Sequence, residues 1–332
     1  MILSMRALPL VAAGLALALA GCGSTEPTAS AEAPTAPAAA GPVTVTDARG
    51  KTITLDQPAR KIGATEWNVA EYAVSLGVQP VAVSDVKGFT TWNESVTLDD
   101  SVTDLGTRGE PSVDTVAALG LDVLFVTDEL VGDAMSQIEK STPVVVLPGG
   151  DAKDPVNAMW RNVDLVAEVT GTEEAATTLR EQFDAKVAET KAKVEASGDT
   201  SPVAFSDGYA YNGAISIRPF MDGSLVGGVL SSVGLTSAWN DVPGLEPDAA
   251  YGLAQTDVEG LTKLPDNTRF WYYANNTDGG DIYTNELKDN KVWTSLPFVE
   301  AGTVHRFPDG IWMFGGPASM TALLDGVQTA LG

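Results

Sequence analysis

Two arginines are placed where the predicted secondary structure would present them to a ligand. Arg108 lies in a glycine-rich loop directly before a predicted helix, and Arg218 follows a predicted strand at residues 214–217. A guanidinium group is a planar fork of N–H donors that matches paired oxygen acceptors. Open α/β sheets bind ligands at the carboxyl ends of their strands, where both arginines are expected. We therefore predict that Arg108 and Arg218 contact a ligand; the alternative for each is an ion pair on the surface.

Aromatic side chains near predicted strand ends form a second set of candidates, because flat rings supply apolar walls for an organic ligand. The candidates are Trp67 and Trp92, in predicted loops of the first half, Tyr209 and Tyr211, after the first strand of the second half, and Trp312, just before a Gly-Gly-Pro loop. Three further tryptophans are expected to pack in the core, namely Trp160, Trp271 and Trp293.

Several common chemistries lack their residues in this chain. The one histidine, His305, excludes a three-histidine zinc site, so we predict no metal site and a structural role for His305. The Gly-x-Ser-x-Gly nucleophile elbow and the P-loop are both absent. A secreted α/β hydrolase is the enzyme alternative, and the sequence does not exclude chemistry by a carboxylate pair, but we predict that the protein is not an enzyme.

The charge of the chain bears on its partners. The formal net charge is −24 over 332 residues. Phosphate backbones and anionic lipid surfaces are bound by clustered Lys and Arg, so this composition argues against nucleic acid and against a basic membrane patch.

The N-terminal residues predict export. Residues 1–22 form a secretion signal in which Arg6 is the only charge, followed by an apolar run too short for a stop-transfer helix. The run ends in Leu-Ala-Gly-Cys at Cys22, the only cysteine, and this resembles the lipobox of bacterial lipoproteins. Residues 23–42 are low in complexity and predict a disordered tether. We expect a lipid on Cys22 to hold the protein at the outer face of the cell membrane, and no other covalently bound cofactor.

One long helix is predicted at residues 172–197. Glu173 and Glu174 favour its N-terminus, Gly198 is placed to end it, and its length is about 39 Å at ~1.5 Å per residue. Its apolar residues form a single narrow stripe, made by Leu179, Phe183, Val187 and Val194. Such a helix is typical of a brace across two bodies.

Strand and helix patterns alternate on both sides of this helix. We predict two Rossmann-like α/β lobes with mainly parallel sheets. The predicted boundaries are 43–170 for the first lobe, 171–198 for the connecting helix and 199–332 for the second lobe, with the ligand bound between the lobes.

The two predicted lobes share an acidic helix start. The segment from Ser112 to Leu119 aligns with that from Asp257 to Leu264, and each continues into an apolar strand. Two residues after each capping residue stands a carboxylate, Asp114 or Glu259. Acids in a first helical turn are commonly only stabilising, by about 0.3–1 kcal/mol.

Four motifs in the sequence resemble those of a known family. The chain resembles the substrate-binding lipoproteins of ABC importers for iron–siderophore complexes and cobalamin over about residues 43–331. The motifs are Glu66-Trp67-Asn68, Gly106-Thr107-Arg108 with Glu110-Pro111-Ser112, Ser224-Leu225 through Gly234-Leu235, and Phe314-Gly315-Gly316-Pro317. The resemblance is greatest to the ferric-siderophore branch.

The resemblance implies a function for the predicted sites. A ferric siderophore would bind between the lobes against Arg108, Arg218 and Trp312, which match family positions that line the cleft. Asp114 and Glu259 match the acidic residues that meet arginine pockets on the membrane permease, although Asp114 is shorter than the glutamate more common there. The implied partners are the siderophore, an ABC permease with its ATPase and the membrane, and the protein is expected to be a monomer. The alternative cargoes are cobalamin, haem or another metal chelate.

Overall fold

Two β-sheets organise the chain in the computed structural model, which describes residues 41–127 and 134–332. The strands are β1 (Val43–Thr46), β2 (Thr52–Leu55), β3 (Ile62–Ala64), β4 (Ala82–Val83), β5 (Thr103–Asp104), β6 (Val123–Thr127), β7 (Val144–Leu147), β8 (Val203–Tyr211), β9 (Ala214–Pro219), β10 (Arg269–Tyr272) and β11 (Val304–Arg306). The first sheet has the order β5-β4-β3-β6-β7 and is parallel throughout. The second has the order β11-β10-β8-β9, in which only the β8–β9 pair is antiparallel. A separate antiparallel hairpin, β1–β2, precedes both.

Helices connect and cover these sheets. They are α1 (Trp67–Ser75), α2 (Val86–Trp92), α3 (Val113–Leu119), α4 (Met135–Ile138), α5 (Pro155–Thr170), α6 (Glu173–Ser197), α7 (Leu225–Ser232), α8 (Ile282–Asn285), α9 (Lys291–Thr294), α10 (Pro297–Glu300) and α11 (Pro317–Leu331). The prediction of two α/β lobes with mainly parallel sheets is confirmed. No helix within residues 41–127 and 134–332 has the length and apolar character needed to cross a membrane.

The predicted long helix is confirmed as α6, with Gly198 at its C-terminal end in the left-handed conformation, at a φ of 65°. Thr172 occupies the N-cap position, but its hydroxyl contacts that of Thr170 rather than the helix. The apolar stripe faces the core: Phe183 and Val194 are buried, and Leu179 and Val187 are partly buried against them.

Polar contacts fix α6 to a helix on each side. Arg180 pairs with Asp164 of α5 at 2.9 Å. Towards the C-terminal helix α11, Lys186 pairs with Asp325 at 2.5 Å and the side chain of Gln328 donates to Thr190 at 2.8 Å. The helix therefore joins the two parts of the chain that precede and follow it.

The apolar core runs through both lobes as one cluster. Phe125 and Leu147 of the first sheet, Phe205 and Trp271 of the second, and Phe183 of α6 all belong to it. Successive strand residues point to opposite faces, so Leu124 and Phe270 instead enter separate clusters on the outer faces of their sheets. Because buried side chains of both lobes belong to the shared cluster, the lobes are held by the same interaction that folds them.

Several predicted elements differ from the observed ones. The helix α2 was not predicted, and the helix predicted at 257–264 is a short 3-10 helix, Glu259–Lys263. Pro265 disfavours helical geometry at the residue before it, which stops the turn from continuing. The predicted secretion signal, Cys22 and most of the predicted tether lie outside the described residues.

A buried carboxylate fastens α1 to the start of α11. Glu71 is fully buried, and its oxygens accept hydrogen bonds from the Ser319 backbone N–H (2.8 Å), the Ser319 hydroxyl (2.6 Å) and the Asn93 side-chain amide (2.7 Å). The Ser319 N–H belongs to the first turn of α11, whose own N-cap residue, Gly316, has no side chain to cap it. Burial raises the pKa of Glu71, and these donors oppose the rise. Glu71 thus caps a helix from a distant part of the chain.

Two glycines let the chain pass close to this carboxylate. A Cβ at Gly315 would lie 2.4 Å from a Glu71 oxygen, and a Cβ at Gly316 would lie 2.7 Å from the Tyr72 ring. Both distances are shorter than real Cβ contacts, so the Gly315–Gly316 pair is required by packing. The loop that leads into α11, residues 311–316, is positioned as a result.

We predict that Glu71→Ala lowers the free energy of unfolding by about 3 kcal/mol or more, because it leaves buried donors without an acceptor at ~1–3 kcal/mol each. Urea unfolding at pH 7, followed by circular dichroism, measures this loss. The matched control is Glu168→Ala on the exposed face of α5, which should stay within about 0.5 kcal/mol of the wild type. A loss below about 1 kcal/mol for Glu71→Ala would contradict the capping role.

Candidate functional site

A cavity of about 580 Å³ opens between the two lobes. This volume lies in the range of small-molecule binding sites. Its walls are rich in aromatic side chains from both lobes, namely Trp67, Tyr72, Trp92, Phe220, Tyr251, Trp312 and Phe314. Arg108 and Arg218 both line it, so the structure brings the two predicted arginines to one cavity.

Arg108 belongs to the first of two similar clusters. It lies in the loop after β5, as predicted, and its Nη2 is 2.9 Å from a carboxylate oxygen of Glu66, to which its Nε also donates. Its guanidinium carbon lies 4.3 Å from the centroid of the Trp67 ring and 5.5 Å from that of Trp312. The guanidinium is therefore held by one carboxylate and two aromatic rings, and cation–π contact strengthens this arrangement.

Arg218 forms the second cluster in the other lobe. It lies within β9, opposite Asp207 of β8, because the strand extends to Pro219. Its Nε donates to Asp207 at 2.9 Å and its Nη2 contacts the second oxygen of the same carboxylate. Its guanidinium carbon lies 5.3 Å from the Phe314 ring and 5.7 Å from the Phe220 ring.

One short loop contacts both clusters. Trp312 packs on Trp67 with ring centroids 4.8 Å apart, and Phe314 follows at 5.2 Å from Trp312. The first ring contacts Arg108 and the second contacts Arg218. Because Glu71 and the two glycines fix the end of this loop, they also help to position the two rings that contact the arginines.

Charges at the cavity wall are balanced in the described part of the chain. Glu66 pairs with Arg108, Arg218 with Asp207, and Asp151 with Arg161 at 3.0 Å. Burial raises the pKa of the Glu66 and Asp207 carboxyls, and the guanidinium beside each opposes the rise. The site thus offers N–H donors without a net positive charge.

Hydrogen bonds across one side of the cavity join the lobes. The indole N–H of Trp92 donates to Asp278 at 2.9 Å, and the Asn275 side chain donates to the Thr91 carbonyl at 2.8 Å. The Glu94 N–H donates to the Gly310 carbonyl, also at 2.8 Å. These contacts close one flank of the cavity.

Two of the predicted tryptophans line the cavity, but they lie in helices rather than in the loops where they were expected. Trp67 is the first residue of α1 and Trp92 the last residue of α2, so the prediction that both lie in loops is wrong. Trp67 is nearly buried, and its indole N–H donates to the Ser84 carbonyl. Trp92 lies between the rings of Tyr273 and Trp312.

The two predicted tyrosines do not line the cavity. Tyr209 and Tyr211 lie within the second half of β8 rather than after it, paired with Ser216 and Ala214 of β9. Their side chains are 49% and 71% exposed. The strand continues past Phe205 as a solvent-exposed hairpin, and this carries both tyrosines away from the aromatic wall.

Several lining residues were not among the predicted contacts. Glu66 and Phe314 belong to motifs noted in the sequence, but only their neighbours Trp67 and Trp312 were proposed as ligand contacts. Asp207 does not line the cavity itself, but the hairpin that joins β8 to β9 places it opposite Arg218. Tyr72 is buried in α1, and its position in the sequence of that helix does not distinguish it from a core residue.

The two acidic helix starts share a similar side-chain contact, although the first helix is an α-helix and the second a 3-10 helix. The Ser112 hydroxyl accepts from the Thr115 N–H at 3.3 Å, and the Asp257 carboxylate accepts from the Gly260 N–H at 2.9 Å. Asp114 and Glu259 lie in the first turns that follow, and both are exposed. Neither lines the cavity.

The structure also places the possible metal ligands, the histidine and the three tryptophans expected in the core. Within the described residues, no group of three or more His, Cys, Asp or Glu side chains is placed to hold a metal ion. His305 lies in β11 with its ring 5.5 Å from that of Phe307, and it does not line the cavity. The three tryptophans expected in the core are buried there, namely Trp160, Trp271 and Trp293.

Known proteins share both sequence and fold with this chain. The iron(3+)-hydroxamate-binding protein FhuD of Escherichia coli is 22% identical over 272 residues, covering 82% of this chain and 87% of that protein. The structure of the Fe³⁺–Desferal-bound siderophore binding protein FhuD from Vibrio cholerae matches with a TM-score of 0.70 at 25% identity, covering 82% of this chain and 97% of that one.

A more distant structure shares the fold. It is the triscatecholate siderophore binding protein FeuA from Bacillus subtilis, complexed with ferri-bacillibactin, with a TM-score of 0.68 at 18% identity, covering 87% of this chain and 97% of that one. The model of the family described as periplasmic binding protein matches residues 62–309, which include both sheets and most of the cavity. The chain belongs to the periplasmic binding protein family.

Proposed function

We propose that the protein is a receptor on the outside of the cell that binds a ferric siderophore between its lobes and delivers it to an ABC permease. The observation that carries this proposal is the pair of arginines, one from each lobe, that face one aromatic cavity. A chelate that bridges Arg108 and Arg218 would contact both lobes at once.

The chemistry of the cavity suits a chelate better than a bare ion. In a ferric siderophore the iron is already surrounded by chelator oxygens, so the protein need supply no ligand to it. It must supply donors for those oxygens and flat walls for the organic rim. Arg108 and Arg218 offer the donors, and Trp67, Trp312 and Phe314 offer the walls.

The relatives support the same cargo class. FhuD of E. coli is by name an iron(3+)-hydroxamate-binding protein, and FhuD of V. cholerae was solved with Fe³⁺–Desferal. These names describe binding rather than catalysis, in keeping with the proposal that this protein is not an enzyme. No histidine in the described residues lines the cavity, which also disfavours a Ser–His hydrolase.

Haem is less well supported as cargo than a ferric siderophore. Haem iron is held by an axial protein ligand, and His305 does not line the cavity. Two tyrosines do, Tyr72 and Tyr251, and burial raises the pKa of Tyr72 far above the ordinary value, which opposes the tyrosinate that binds haem iron.

Delivery would depend on parts of the molecule away from the cavity. A lipid on Cys22 and the tether at 23–42 would hold the receptor near the membrane. Asp114 and Glu259 would each meet a basic pocket on the permease, whose ATPase drives transport, with the receptor acting as a monomer. Their exposure in matching first turns supports this part of the proposal.

We predict that ferric desferrioxamine B quenches tryptophan fluorescence at sub-micromolar concentration, because Trp67, Trp92 and Trp312 line the cavity. Arg218→Ala should weaken binding by about tenfold or more, since a charged hydrogen-bond donor is lost at ~1.5–3 kcal/mol. Arg60→Ala, an exposed arginine outside the cavity, is the matched control and should bind as the wild type does. If no hydroxamate, catecholate or citrate-type ferric chelate quenches the folded protein, the proposed cargo is wrong.

Docking can be tested separately from binding. The variant Asp114→Ala/Glu259→Ala should lower uptake of ⁵⁵Fe-labelled chelate by cells severalfold, because both acidic contacts to the permease are lost. Its affinity for the chelate in solution should not change. The control Asp100→Ala/Glu168→Ala removes two other exposed acids and should transport normally. Normal uptake by the first variant would exclude these residues as the docking sites.

A further inference from the structure

The two arginines at the cavity are neutralised from within their own lobes. Glu66 is 5% exposed and Asp207 is 9% exposed, and each contacts its arginine through two guanidinium nitrogens. The other acid that lines the cavity, Asp151, pairs with Arg161. Across the described residues, the cavity wall therefore holds no cation that lacks an acidic partner.

This balance limits the charge of the ligand. An unpaired arginine in a partly enclosed site would attract an anion strongly, because low dielectric strengthens the attraction. Here an anion that approached Arg108 or Arg218 would also approach Glu66 or Asp207. It would have to displace a buried carboxylate or lie beside it, and either arrangement is costly.

The pairs still leave hydrogen-bond donors for a ligand. A guanidinium has five N–H groups, and the contacts with Glu66 or Asp207 involve Nε and Nη2. A chelate oxygen can accept from the remaining donors without bringing net charge. Each pair therefore acts on a ligand as a dipole rather than as a free cation.

We propose that Glu66 and Asp207 are specificity-determining residues that make the cavity select ferric chelates of neutral or positive charge over anionic ones. This inference rests on the proposed function and narrows its cargo. Three hydroxamates balance the charge of Fe³⁺, so such a complex is neutral, or cationic when it carries a free amine. Three catecholates give a complex with three negative charges. The charge balance therefore favours the hydroxamate class.

A series of probes on one chelator separates charge from shape. Ferric desferrioxamine B carries one positive charge, its N-acetyl derivative is neutral and its N-succinyl derivative carries one negative charge. A ferric tris-catecholate places three negative charges on the chelate itself. We expect the wild type to bind the first two probes with similar affinity, the N-succinyl derivative more weakly than either, and the tris-catecholate about tenfold or more weakly.

Neutral variants test the two carboxylates. Glu66→Gln and Asp207→Asn keep the size of each side chain and free one guanidinium charge. Each variant should lower the ratio of the affinity for the desferrioxamine B complex to the affinity for the tris-catecholate by about tenfold. Salt at 0.5 M should reduce this effect by screening. The control Asp100→Asn changes the net charge by the same amount at an exposed site away from the cavity. It should leave the ratio of the two affinities unchanged.

The outcomes distinguish this inference from the proposed function. If no ferric probe binds the folded wild type, the proposed function fails. If the probes bind with affinities that do not depend on charge, or if both variants keep the wild-type preference, only the charge-selection inference fails. Thermal melts monitored by circular dichroism identify a variant that does not fold, and the charge-conserving Glu66→Asp should then retain the wild-type order of affinities.

Discussion

The shared apolar core is the constraint on which the rest of the structure depends. Side chains from both sheets and from α6 form one buried cluster, so neither lobe completes its core alone. A long helix joined to α5 by Arg180 and to α11 by Lys186 then spans the shared region. The cavity therefore lies between parts of the chain that this core already packs together.

The binding chemistry follows from this arrangement through one loop. Glu71 and the Gly315–Gly316 pair fix the start of α11, and the residues just before it place Trp312 beside Arg108 and Phe314 beside Arg218. Each guanidinium is partly enclosed, and enclosed charges need partners. Each lobe supplies one carboxylate for this purpose. Fold stability and ligand selection therefore depend on overlapping sets of residues.

The long helix, the alternation of strands and helices and both arginines could be predicted from the sequence because each leaves a local pattern. The helix α2 could not, because Gly88 and two adjacent threonines are poor helix formers and burial of Phe89 supports it instead. The Arg218–Asp207 pair could not be predicted because β8 continues as an exposed, polar hairpin. The role of Glu71 depends on Ser319, 248 positions away, and no local pattern reveals such a contact.

Anomalous diffraction tests most directly whether the cavity holds a ferric chelate whose iron needs no protein ligand. Crystals of the protein loaded with ferric desferrioxamine B would be measured at the iron absorption edge. We predict one iron peak in the cavity between Arg108 and Arg218, with every atom bonded to iron supplied by the chelator. An iron bonded to a protein side chain, or bound outside the cavity, would contradict it.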